Sequence, residues 1–158
     1  MTFHLVLAAR AGLMATLILL AASGAHAQGH TAAAPAAMTV TKRTVHLMAV
    51  VRVAAANQPA FDRLHQKMQA VVATEGPARV LVYERYARVG SDEYFLYEAF
   101  ADEAAFTAHL ALTAPVGAAY PVPMTMVHYE LCGPVSPETV ALLTGAYGDQ
   151  FTHYSVRR

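Results

Sequence analysis

The chain has 158 residues with 11 basic and 11 acidic side chains, so its formal net charge at neutral pH is zero. This length suits one domain, and a balanced charge without basic runs argues against nucleic acid as a partner. Cys132 is the only cysteine, which excludes an internal disulfide bond. The fold must therefore be stabilised by its hydrophobic core or by oligomerisation.

Residues 1–27 have the pattern of a secretory signal peptide. Arg10 is their only formal charge, the run AGLMATLILLAA at 11–22 is apolar, and the segment ends in AHA. Such a run is too short to span a bilayer, although an uncleaved anchor is the alternative. We therefore expect a periplasmic or secreted protein with no stable membrane insertion after cleavage. Residues 28–43 lack periodicity and are predicted to be a flexible linker.

The folded part is predicted to begin with a strand followed by a helix. The stretch TVHLMAVVRV at 44–53 is rich in β-branched and apolar residues, which is typical of a buried strand. Asn57 is a favourable N-cap for the next segment, in which apolar residues recur at helical spacing. Gly76 and the proline after it predict the end of that helix.

A hairpin and a second helix follow. Residues 78–89 and 93–100 read as two strands, joined by the turn residues GSD at 90–92. Asp102 is predicted to cap a helix that continues to about Thr113.

The C-terminal third is predicted to contain one more strand and one more helix. A loop rich in Ala, Pro and Gly at 114–123 precedes a strand at 125–132. Ser136 opens a short helix that ends near Thr144. The remaining tail shows no pattern that assigns it to an element.

The predicted order β-α-β-β-α-β is that of the ferredoxin-like split βαβ arrangement, an α+β fold with an antiparallel sheet and both helices on one face. We assign this domain to residues 44–132, and a C-terminal helix and tail to residues 133–158. The strands carry apolar side chains on both faces, and a bare apolar face is unfavourable in water. We therefore expect two subunits to pack their sheets together as a homodimer.

The segment YEAFADEAAFTAHLA at 97–111 resembles the antibiotic biosynthesis monooxygenase (ABM) family, whose members form dimeric α+β barrels. The hairpin VLVYERYARVGSDEYFLYEAF at 80–100 is similar as well, and the resemblance extends over about residues 45–113. It implies a cavity between sheet and helices that binds a small hydrophobic or aromatic molecule, such as a quinol. Some members oxygenate such molecules with O2 and neither metal nor flavin, so no cofactor is expected.

His109 and Glu98 are the predicted catalytic residues. His109 lies on the apolar face of its helix, either as a base or hydrogen-bond donor lining the cavity or as a core histidine bonded to Glu98 or a backbone carbonyl. A carboxylate in a strand as apolar as that of Glu98 is costly unless it is paired, and its candidate partners are His109 and Arg52. We expect Glu98 to act structurally and through its charge on the site.

The predicted substrate-binding residues are mostly aromatic. Aromatic rings can stack on an aromatic ligand, and tyrosine hydroxyls can bond to it, although aromatic residues in strands are also ordinary packing. The set comprises Tyr83, Tyr86, Tyr97, Phe106 and Arg52. The resulting hypothesis is a cofactor-independent monooxygenase, and the alternative is a non-catalytic ligand-binding or stress-associated module.

A second group of residues suggests copper. His46 and Met48 lie two apart on the first strand, and Met124, Met126 and His128 are spaced likewise at the fourth. Imidazole and thioether ligands suit Cu(I), and the two strands are neighbours in the predicted sheet. Methionine also fills irregular gaps in a core, so a periplasmic copper-binding protein is a further alternative and no bound metal is expected.

Overall fold

The computed structural model describes residues 42–155, which form one sheet and three α-helices. The strands are β1 Val45–Arg52, β2 Val80–Ala87, β3 Glu93–Phe100, β4 Thr125–Cys132 and β5 Phe151–Tyr154. The helices are α1 Gln58–Glu75, α2 Glu103–Ala119 and α3 Pro137–Tyr147, with short 3-10 turns at Ala55–Asn57 and Gly148–Gln150. The predicted signal peptide, and the linker as far as residue 41, lie outside the described residues. Within residues 42–155, no helix is both long enough and apolar enough to cross a bilayer.

The sheet confirms the predicted ferredoxin-like arrangement. Its strand order is β2-β3-β1-β4-β5, and β1 to β4 are antiparallel to one another where they pair. The tail that the sequence left unassigned supplies β5, which pairs in parallel with β4. A four-residue strand is too short to show a reliable alternation, so its sequence carries little signal.

One face of the sheet is covered by the helices, and the alternation in β1 shows which one. Val45, Leu47, Ala49 and Val51 are at most 1% exposed, whereas the residues between them are partly exposed. The first set packs in a single core with apolar side chains of α1 and α2, such as Phe61 and Phe106. We call the covered side the helix face of the sheet, and the opposite side the open face.

The helix starts agree with the prediction at Asp102 and Ser136 and differ in detail at Asn57. Asp102 and Ser136 each accept a hydrogen bond from the backbone N–H three residues later. Asn57 occupies the N-cap position of α1, but its side chain instead donates to the carbonyl of Pro123 at 3.0 Å. The side chain thus ties the start of α1 to the segment before β4.

The predicted end of the second helix near Thr113 is wrong, because α2 continues through Pro115 to Ala119. Proline in a helix interior lacks the N–H that would bond one turn back, which usually breaks the helix. Here the segment is rich in alanine, a strong helix former, and Gly117 is buried in the last turn. Alanine propensity and this burial keep the segment helical. The third helix is also longer than predicted and ends at Tyr147.

Glu103 joins α2 to the C-terminal extension. One oxygen of its carboxylate accepts from the Ser136 N–H at 2.8 Å, from the Ser136 hydroxyl at 2.7 Å and from the Thr139 hydroxyl at 2.5 Å. Burial alone would raise the pKa of Glu103, but the bonds from Thr139 and Ser136 outweigh it, so the pKa is lowered. The carboxylate therefore stays ionised and holds α3 against the domain.

Candidate functional site

His109 lies in the middle of α2, and its side chain points into the interior between the helices and the sheet. The residue is 1% exposed. Its Nδ1 lies 2.8 Å from Oε2 of Glu75, the last residue of α1. The Glu75 side chain is itself 1% exposed, so this is a buried ion pair when the imidazole is protonated.

Glu98 approaches the other nitrogen of the same imidazole. It is fully buried in β3 on the helix face, and its Oε2 lies 3.6 Å from His109 Nε2. That separation is too long for a direct hydrogen bond. Neither carboxylate oxygen of Glu98 has a hydrogen-bond partner in the protein. We call Glu75, Glu98 and His109 the acid–base cluster.

Burial and mutual charge raise the pKa values of Glu98 and His109 in the cluster. Burial raises the pKa of Glu98 to about 7, since the lowering effect of His109 only partly offsets it and Glu75 raises the pKa further. Burial alone would lower the pKa of His109, but the hydrogen bond to Glu75 and the charges of Glu98 and Glu75 outweigh it, so the pKa is raised. The raised pKa of His109 favours its imidazolium form, and Glu98 is poised between its two forms at neutral pH.

Three phenols share this interior. Tyr83 is the cross-strand partner of Glu98, and its ring contacts the His109 ring edge-on with centroids 5.6 Å apart. Tyr129 on β4 stacks on Tyr147 of α3 at 4.3 Å. The hydroxyls of all three are buried without a hydrogen-bond partner in the protein.

The environment of these phenols keeps them protonated. Burial, followed by the charges of Glu98 and Glu75, raises the pKa of Tyr83 far above its ordinary value. Burial and the charge of Glu98 also raise the pKa values of Tyr129 and Tyr147. Each phenol can therefore donate a hydrogen bond at neutral pH.

Two of the predicted substrate-binding residues lie beside the cluster. Tyr83 contacts His109 directly, as described above. Phe106 is fully buried, and its ring meets that of Phe100 at 5.3 Å. Phe100 in turn contacts the His109 ring at 5.0 Å, so Phe106 belongs to the apolar wall behind the imidazole.

The structure does not bring Tyr86, Tyr97 and Arg52 into this site, because their side chains lie on the open face. Tyr97 follows the strand alternation away from its neighbour Glu98, and its hydroxyl lies 3.0 Å from Nδ1 of His46. Arg52, one of the two predicted partners of Glu98, instead forms an ion pair with Glu93 at 2.7 Å. Tyr86 is 51% exposed.

The predicted convergence of His46, Met48, Met124, Met126 and His128 does not occur. The strands β1 and β4 are antiparallel neighbours as expected, but a bulge shifts their register between Val50 and Val51. Val50 pairs with His128 and Val51 with Met126, so Met126 is buried on the helix face and His128 is on the open face. Because of the bulge, Met126 and His128 lie on opposite faces although they are two residues apart.

Three members of the interior were missed by the sequence analysis. Glu75 is the last helical residue before Gly76, a position where a solvent-exposed side chain is the ordinary expectation. Tyr147 belongs to the segment that had no assignment, and Tyr129 was read only as a strand residue. A signal for Tyr129 existed, since it alternates with Leu131, but nothing in the spacing linked it to Glu98.

The elements around the cluster define a class: an α+β domain of ferredoxin-like topology with a buried acid–base cluster between sheet and helices. Residues 44–114 match the family model described as antibiotic biosynthesis monooxygenase, ABM. That segment contains all three cluster residues. The match confirms, for this segment, the resemblance to the ABM family that its sequence suggested.

The solved structure of MupZ shows the same fold at low sequence identity. MupZ from Pseudomonas fluorescens superposes with a TM-score of 0.57 and is 19% identical, over 73% of this chain and 92% of MupZ. Rv0793 from Mycobacterium tuberculosis is 18% identical over 59% of this chain and 96% of its own, with a TM-score of 0.44. Comparison of the sequence with curated proteins gave no match.

Proposed function

We propose that this protein binds a small phenol or hydroquinone between its sheet and helices and that the acid–base cluster accepts a proton from the ligand. The observation that supports this is the set of unpartnered buried oxygens on Glu98, Tyr83, Tyr129 and Tyr147. Each unsatisfied buried polar group costs about 1–3 kcal/mol, and a hydroxylated ligand would satisfy several of them together. The ring-lined wall beside His109 suits an aromatic ligand.

In this proposal Glu98 receives the proton, and His109 stabilises the anion that remains. A general base works best when its pKa lies near the operating pH, which fits Glu98 at about 7. Against the effect of burial, the hydrogen bond to Glu75 and the neighbouring charges raise the pKa of His109, which favours the imidazolium form, in which Nε2 is a donor. From the sequence, His109 was the candidate base and Glu98 was expected to act structurally and through its charge.

The separation of the two groups allows this chemistry. Because His109 Nε2 and Glu98 Oε2 are 3.6 Å apart, one ligand oxygen can lie within about 2.8 Å of both. The same hydroxyl oxygen would then give its proton to Glu98 and accept a hydrogen bond from His109. A direct bond between the two side chains would have blocked that position.

Oxygenation follows from the electron-rich anion. A deprotonated hydroquinone reacts with O2 and takes back the proton held by Glu98, so that one oxygen atom enters the ring as a hydroxyl group and the other leaves as water. The ring becomes a hydroxyquinone, and the substrate supplies all four electrons. The protein contributes the deprotonation and an interior that excludes water from the intermediate.

Anaerobic binding of a naphthohydroquinone tests the proton transfer. Ultraviolet absorption distinguishes the anion from the neutral ligand, and we expect the anion spectrum on binding at pH 7.5. Glu98→Gln should bind the ligand as its neutral form, whereas Glu138→Gln, an exposed control on α3, should behave like the unchanged protein. A neutral spectrum in the unchanged protein would contradict the proposal, and no binding at all would remove it.

We also propose a homodimer formed through the open face. In the described residues no helix covers this side, and three large apolar side chains lie on it with exposed fractions of 39–52%: Tyr86, Phe95 and Tyr154. The β1 residues on this side are partly exposed as well. A second copy packed on the open face would remove this patch from water.

A further inference from the structure

A polar pocket lies between α1 and β2, outside the acid–base cluster. Its volume is about 160 Å³, and it is lined by Asp62, His65, Gln66 and Arg85. His65 and Glu75 are ten residues apart on α1, which places them about 15 Å from each other along the helix axis. The proposed proton transfer uses none of these four side chains.

The Arg85 guanidinium is held rigidly in this pocket. Its Nη2 donates to Asp62 at 2.7 Å, and its carbon lies 5.0 Å from the centroid of the Phe61 ring and 5.2 Å from that of Tyr94. The side chain is 15% exposed. Nη1, however, is buried and has no hydrogen-bond partner in the protein. A fixed cationic donor is thus left free on one side.

His65 brings a second unsatisfied group to the same place. The residue is 1% exposed, and neither of its ring nitrogens has a partner in the protein. Burial, followed by the charge of Arg85, lowers the pKa of His65 to about 2. The imidazole is therefore neutral, with one N–H to donate. A neutral histidine beside a cation is a poor site for a second cation.

We propose that this pocket is a binding site for a compact oxyanion, a carboxylate or a phosphate, held by Arg85 Nη1 and the N–H of His65. Guanidinium groups bind such anions with short, strong hydrogen bonds. The anion would satisfy both unpartnered donors at once, at a point where the aromatic rings already fix the guanidinium.

The side chains that line the pocket favour an anion over a metal ion. Asp62 neutralises Arg85 only from one side, and its own side chain is 53% exposed, so water screens its repulsion of a bound anion. Across residues 42–155, no three His, Cys, Asp or Glu side chains come together as metal ligands would. The pocket offers donors, which an oxyanion needs.

Titration of the purified protein with inorganic phosphate, and separately with acetate, tests this site through the His65 ring signals in NMR spectra. We expect a saturable shift with a Kd of about 1 mM or tighter for at least one of the two anions. Saturation by phosphate alone or by acetate alone shows whether the pocket prefers a phosphate or a carboxylate. No saturable shift with either anion would overturn the proposal.

Three variants sharpen the test. Arg85→Gln should weaken binding at least tenfold, whereas Arg79→Gln, which removes an exposed arginine just before β2, should not change it. Asp62→Asn keeps an acceptor for Arg85 but removes the opposing charge, so it should tighten binding. If Arg85→Gln does not fold, Asp62→Asn decides: an unchanged affinity in that variant would overturn the proposal.

Discussion

Oε2 of Glu75 lies 2.8 Å from Nδ1 of His109, although the two residues are 34 positions apart. The contact joins the last turn of α1 to the middle of α2 in a place that water does not reach. It also directs the imidazole, because the nitrogen that is left free is the one that faces Glu98. The imidazole of the candidate site is thus positioned by a residue at a helix end.

Glu75→Gln should lower the pKa of His109. The variant removes a negative charge at hydrogen-bond distance, which is one of the causes that raise the pKa against the effect of burial. An NMR titration of the His109 ring signals measures the change. Glu138→Gln, on the exposed first turn of α3, should leave the pKa of His109 unchanged; an equal change in both variants would contradict the role of Glu75.

Glu98→Gln should remove part of the pH dependence of stability. The folded-state pKa of Glu98 is about 7, above the ordinary 4.5, so the folded protein binds this proton more tightly and loses stability as the pH rises between these values. The loss at pH 8 relative to pH 4.5 is up to about 3 kcal/mol. Gln cannot ionise, so the stability of the variant should fall less over this pH range.

Denaturant unfolding at several pH values measures this effect. The raised pKa of His109 acts in the same direction, because its stabilising charge is lost as the pH rises through the folded-state pKa. The stability of Glu98→Gln should therefore still fall somewhat as the pH rises. The stability of Glu138→Gln should fall as much as that of the unchanged protein. A Glu98→Gln variant as pH-sensitive as the unchanged protein would show that Glu98 is ionised throughout.

Gly133→Ala should destabilise the fold. Gly133 has a φ of +130°, and a Cβ there would lie 2.6 Å from the carbonyl oxygen of Thr44, so both strain and a clash with backbone follow. We expect a loss of about 2 kcal/mol or more in the free energy of unfolding. Gly145→Ala is the matched control: nothing lies within 4 Å of its added Cβ, and alanine in α3 should stabilise by roughly 0.5–1 kcal/mol.

Phe95→Arg should convert the proposed dimer into a monomer. Phe95 is 39% exposed on the open face, where its ring lies 6.2 Å from that of Tyr86, and a buried unpaired charge at the interface would be costly. Light scattering should give twice the monomer mass for the unchanged protein and for Leu142→Arg, an exposed position on α3. A monomeric unchanged protein would contradict the dimer.

The sequence predicted the fold well where local patterns decide the structure. The strand within residues 44–53 and the cap at Asp102 depend on neighbouring residues, and both predictions are confirmed. The bulge opposite Val50 depends on how two strands fit together, so the spacing of Met126 and His128 could not reveal it. Pro115 likewise marks a helix break locally, and tertiary packing overrides that signal.

The candidate site was predictable only in part, for a similar reason. Glu98 and His109 attract attention because a charged or titratable group interrupts an apolar pattern. Glu75 interrupts nothing, since it stands at a helix end where a polar residue is ordinary. Its role arises from the meeting of two helix segments, which no spacing within either segment encodes.

Oxygen uptake with a naphthohydroquinone, measured above the rate of its uncatalysed oxidation, tests the central claim most directly. The unchanged protein should accelerate uptake, and His109→Ala should lower that rate roughly 10²–10⁴-fold, since the ligand anion loses its positioned partner. Glu138→Gln, at an exposed position on α3, should retain the full rate. Uptake that is not accelerated by the unchanged protein, or that is equal in His109→Ala, would contradict the account.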